Sequence, residues 1–83
     1  MDEPVMDDVT DELKRLVGSR LRSMREERQI SRSRMAAQLG ISPPALYYIE
    51  SGKNCPMVRV LAAARIFGVT VDSLLEEPEH AAV

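Results

Sequence analysis

The sequence predicts an all-α domain of five helices. Apolar residues recur at three- and four-residue steps along most of the chain. No stretch alternates β-branched or aromatic residues with polar ones for more than a few positions, and the aromatic residues are only two tyrosines and one phenylalanine. Three of the four glycines, Gly40, Gly52 and Gly68, fall between the periodic stretches. A chain of 83 residues makes one domain with a modest core, burying roughly 60% of the unfolded surface. Such a domain gains from self-association.

Helix one is expected over residues 8–27, where Val9, Leu13, Leu16, Val17, Leu21 and Met24 form an apolar stripe. Acidic residues cluster at its start and basic ones toward its end, in the sense that suits the helix dipole. Residues 1–7 are acidic, include Pro4 and are expected to be a disordered N-terminus ahead of a domain spanning 8–76, with 77–83 a flexible tail. Gly18 inside the helix costs about 1 kcal/mol relative to alanine, which marks the preceding segment as an extension prone to fray.

Helix two is expected over 32–39, with Ser31 as its N-cap and Met35, Ala36 and Leu39 on its inner side. Gly40 suits the left-handed position just past a helix end, where a side chain clashes. Ile41 then fills the space between helices, Ser42 caps the next one, and Pro43 takes the first helical position, where its missing N–H is harmless. Helix three, 43–51, buries Leu46 and Ile49 and ends at Gly52. Helix, glycine turn and capped helix at this spacing form a helix-turn-helix, in which the second helix is the one that enters the major groove of DNA.

A loop from Lys53 to Pro56 leads to helix four, 57–67, in which Val58, Leu61, Ala62 and Ile66 are expected in the core. Gly68 stops it. A short helix five follows a cap at Thr70, with Val71, Leu74 and Leu75 apolar.

The formal net charge of −2 at first argues against a polyanionic partner. Its distribution reverses that reading. Residues 13–70 hold all 11 basic residues against only Glu26, Glu27 and Glu50, a net of +8, and the ten remaining acids lie in the two ends. Arg20, Arg22, Arg25, Arg28, Arg32 and Arg34 crowd into 15 residues. A basic centre with acidic flanks fits a nucleic-acid binder whose ends lie away from the contact face.

Catalytic chemistry has little to recruit. Cys55 is the sole cysteine and reads as a small loop residue, and His80, the sole histidine, sits in the tail without partners for a metal or a nucleophilic triad. No phosphate-cradling glycine pattern occurs. The expectation is no enzyme activity, no metal, no cofactor and no small-molecule ligand. With no long apolar run and no cationic leader, a cytoplasmic location without a membrane partner is expected.

Residues 18–75 resemble the Xre or Cro/cI-type repressor family, a five-helix, lambda-repressor-like DNA-binding fold. The resemblance rests on GSRLRSMREERQIS, then MAAQLGIS, then LYYIESGK, and finally VRVLAAARIFGVTVDSLL after Pro56. It implies an ion pair between Arg25, late in helix one, and Glu50, in the I-E-x-G segment. It also implies base reading by Ser42, Pro43, Pro44 and Tyr47, with Tyr48, Lys53 and Asn54 near the backbone, and phosphate contact by Arg32; Arg34 and Lys53 are further phosphate candidates.

The chain departs from the family at Pro43 and Pro44, where many relatives carry polar residues, since proline offers no side-chain hydrogen bond to a base edge. Tyr47 and Tyr48 are then the better readers, because Leu46 and Ile49 claim the inner face. The expected function is a homodimeric regulator, in all expectation a repressor, binding operator DNA. The dimer surface is sought first at Val69, Val71, Leu74 and Leu75, and second around Val9, Leu13 and Leu16. An alternative is an antitoxin or adaptor that uses the same fold mainly to bind a protein partner, a reading the proline pair and acidic ends favour.

Overall fold

The computed structural model describes residues 4–76, with side chains from Val9 onward. It contains four α-helices: α1 (Pro4–Glu27), α2 (Arg32–Leu39), α3 (Pro43–Glu50) and α4 (Met57–Phe67). A 3₁₀ helix, Val71–Leu75, closes the fold. There is no strand among the described residues, and no helix there is long and apolar enough to cross a membrane. The tail 77–83, with His80, lies outside the described residues, as do residues 1–3.

Two expectations about the elements are corrected. The fifth helix is a 3₁₀ turn rather than an α-helix: five residues are too few to repay α-helix nucleation, and Ser73 N–H instead donates to the Thr70 carbonyl at 3.1 Å and to Thr70 Oγ1 at 3.3 Å. Helix α1 starts at Pro4 rather than at residue 8; proline is favoured at such a position because its absent N–H has no intrahelical partner to lose.

The core joins Val17, Leu21 and Met24 of α1, Met35, Ala36 and Leu39 of α2, Leu46 and Ile49 of α3, and Leu74 of the 3₁₀ helix. From α4 come Val60, Ala63, Ala64 and Phe67. This is not the face expected for α4. Val58, Leu61 and Ile66 are exposed, and only Ala62 is partly buried against the core. Apart from Arg59 and Arg65 the helix is apolar, with large apolar residues on more than one side, so its period marks the inner face only weakly. Ala63 and Ala64 go inside together with Val60 and Phe67, the small alanine side chains allowing close packing. The N-terminal part of the α1 stripe is likewise uncovered, with Val9 and Leu13 about half exposed.

Every α-helix closes with the same bond, from an N–H to the carbonyl five residues back: Ile30 to Arg25, Ile41 to Ala36, Lys53 to Tyr48 and Val69 to Ala64, all at 3.0–3.1 Å. The residue before each donor has positive φ. Three are glycines, but after α1 the position is held by Gln29, at φ 57°. A side chain in that conformation carries backbone strain.

Gly18 explains itself through α3. A Cβ built there meets the Ile49 carbonyl oxygen at 2.3 Å and that of Glu50 at 2.8 Å. Helix α1 therefore passes directly against the backbone at the end of α3, and only glycine permits that approach. The glycine thus answers a packing requirement set by residues about thirty positions downstream.

Candidate nucleic-acid interface

The turn between α2 and α3 is built by local chemistry. Ser31 Oγ accepts from Arg34 N–H at 3.1 Å, and Ser42 Oγ accepts from Ala45 N–H at 3.2 Å, so each helix starts with a satisfied donor. Gly40 has φ 74° and ψ 28°, and its N–H donates to the carbonyls at the end of α2. Pro43 and Pro44 occupy the first turn of α3, where orphan donors are dispensable.

Leu46, Ile49 and Glu50 face inward on α3. Pro43, Pro44, Tyr47 and Tyr48 face outward, the tyrosines being 48% and 51% exposed. Their rings lie 5.9 Å apart and are tilted by 57°. Ser51 also lies outward, but its hydroxyl donates to the Tyr47 carbonyl at 2.7 Å.

One carboxylate ties this helix to its neighbours. Glu50 Oε2 accepts from Arg25 Nε at 2.7 Å, while Oε1 accepts from an Arg25 terminal nitrogen and from Arg32 Nε, both at 3.2 Å. Arg25 also donates to the Ile30 carbonyl at 2.9 Å. Arg25 and Glu50 are each only 7% exposed. Two guanidiniums on one carboxylate leave a net positive charge, and it emerges on Arg32, the more exposed of the two. Arg32 also lies over the Tyr47 ring, 5.4 Å from its centroid, a cation–π contact that holds it beside the outward face of α3.

The crowded arginines do not form one free cationic patch. Arg20 Nε donates to the Ser73 carbonyl at 3.4 Å, and Arg22 pairs with Glu26 at 3.1 Å. Arg28 donates to the Met24 and Phe67 carbonyls at 3.1 and 3.3 Å and stacks over the Phe67 ring at 4.9 Å. Its structural part was missed in the sequence; the available signal was its place just beyond the C-terminal end of helix one, where cations meet unpaired carbonyls. Arg34 and Lys53 are exposed, and neither side chain makes an ion pair among the described residues.

The structure thus brings Arg32, Tyr47 and Tyr48 together. Asn54 is turned to its own loop, its Oδ1 accepting from Cys55 N–H at 3.0 Å, and it lines a groove shared with α1. Of the residues sought at a dimer surface, Leu74 is fully buried in the monomer core, while Val69 and Val71 are partly buried against that core. Leu75 is left 45% exposed. Leu74 is taken inward because the 3₁₀ helix packs on α1 and α4 and presents one side to them.

A protein built around this motif is of the DNA-binding helix-turn-helix class. The family described as helix-turn-helix domain matches residues 16–77, well over half the chain, and the chain belongs to it. No curated protein and no solved structure matches it.

Proposed function

We propose that this protein is a homodimeric transcriptional regulator of the Xre or Cro/cI type, acting as a repressor at operator DNA, with α3 in the major groove. The observation that carries this reading is the outward face of α3 with Arg32 fixed beside it, a reading surface and a phosphate-binding cation held in one rigid frame. Arg32 lies at the start of α2, where the helix dipole also favours an anion. Arg34 and Lys53 supply further phosphate contacts. The reading has no catalytic step, no cofactor and a cytoplasmic setting.

Self-association is assigned to the groove that both candidate surfaces border. A cavity of about 420 Å³ is lined by Leu13, Val17, Cys55, Met57 and Leu75 among others. Leu13 belongs to the N-terminal surface and Leu75 to the C-terminal one, and Met57 and Val58, 58% and 68% exposed, extend the apolar area. No residue of α3 lines this groove.

Selection of bound fragments from a random DNA pool tests the reading. The expected product is a two-fold symmetric site with half-sites about one helical turn, ~34 Å, apart. Absence of any retarded complex at low salt overturns it and favours the adaptor reading, for which the exposed apolar side of α4 is the supporting observation.

A further inference from the structure

The outward face of α3 has an unusual chemical inventory for a surface that meets bases. The helix PPALYYIE contains no asparagine, glutamine, lysine or arginine, the side chains that pair with the purine edges in the major groove. Its only charged residue, Glu50, is buried and committed to two arginines. The hydroxyls of Ser42 and Ser51 are engaged within the protein, one in the cap of α3 and one on the Tyr47 carbonyl. What remains outward on the helix is two pyrrolidine rings and two phenol rings, all exposed, the tyrosines by about half.

The major-groove feature that such a surface complements is the 5-methyl group of thymine, the one apolar group displayed there. We propose that α3 selects its DNA chiefly by thymine methyls, packed against Pro43, Pro44 and the ring edges of Tyr47 and Tyr48. The proposal rests on the reading that α3 enters the major groove. Rigidity suits it: both prolines have fixed φ, and the Arg32 guanidinium holds the Tyr47 ring, so little side-chain freedom is lost on contact. Arginines outside the helix grip phosphates and add no preference between bases.

The test replaces thymine with deoxyuridine, which removes the methyl and leaves every hydrogen-bonding group in place. Using the full chain and its best selected DNA site, each thymine under α3 is replaced in turn and the dissociation constant measured. A buried methyl-sized group corresponds to about fourfold in affinity, so losses of about that size are expected at one or more positions per half-site. Pro44→Ala and Tyr48→Ser, each checked for an unchanged melting temperature, are expected to shrink the thymine-to-uracil ratio toward one at distinct positions. Two substitutions are used so that one unstable variant does not end the test.

Equal affinity for thymine and uracil throughout overturns the proposal while leaving DNA binding intact. A ratio that persists in both variants and also in Pro43→Ala and Tyr47→Ser overturns it as well, because the methyl is then sensed through DNA shape. No binding to any DNA overturns the underlying reading instead.

Discussion

Arg25 grips Glu50 through two nitrogens, at 2.7 and 3.2 Å, in a site where both residues are more than nine-tenths buried. The pair links the end of α1 to the end of α3, and Arg32 brings in the start of α2 through the same carboxylate. Desolvating two charges is costly, so its net worth over an apolar substitute is small, but removing Glu50 strands the buried Arg25, and removing Arg25 leaves the buried Glu50 with Arg32 as its sole cationic partner among the described residues.

Glu50→Ala and Arg25→Ala are each expected to lower stability by about 3 to 5 kcal/mol, a large share of what a domain of this size commands. The double variant is expected to fall well short of the sum. Urea denaturation of the three variants measures this; small additive losses would falsify a stabilising role for the pair.

Gly18→Ala provides a prediction of opposite sign to helix propensity. Alanine is favoured by about 1 kcal/mol in a helix interior. Here its methyl collides with the carbonyls of Ile49 and Glu50, so the variant is expected to melt below the parent protein. A higher melting temperature counts against the close contact of α1 and α3.

Gln29→Gly is expected to stabilise. Relief of the left-handed strain, about 1 to 2 kcal/mol, is partly offset by glycine's greater freedom in the unfolded chain, leaving a net gain of a few tenths to about 1 kcal/mol. Thermal melting of the two proteins at equal concentration decides it.

The basic residues divide into two groups with different readouts. Arg34→Ala and Lys53→Ala are expected to weaken binding evenly across DNA sequences and to reduce the salt dependence by about one unit of slope per half-site each, about two for the dimer, with melting unchanged. Arg28→Ala is expected to lower the melting temperature instead, since its guanidinium joins the carbonyls of Met24 and Phe67. Binding titrations over a range of salt, paired with melts, separate the groups.

What the sequence disclosed follows from how local each determinant is. The bounds of α2 and α4 were legible because Ser31, Gly40, Pro56 and Gly68 act within one turn of where they stand. The inner side of α4 was not, because MVRVLAAARIF is interrupted only by Arg59 and Arg65 and has large apolar residues on more than one side, so the choice is made by what packs on it. The use of the arginines was hidden for the same reason: Arg20 meets Ser73 and Arg28 meets Phe67, partners 53 and 39 residues away. Gly18 looked like a weakness from its own helix and is a necessity from another. The outward position of Tyr47 and Tyr48 was legible because Leu46 and Ile49 fix the inner side of so short a helix.

That division of α3 has a consequence for redesign. Positions 43, 44, 47 and 48 project away from the core, while 46, 49 and 50 anchor the helix. On the proposed reading, in which α3 enters the major groove, the outer four act as an exchangeable cassette: new side chains there alter which base steps are preferred while the scaffold that aims them stays folded.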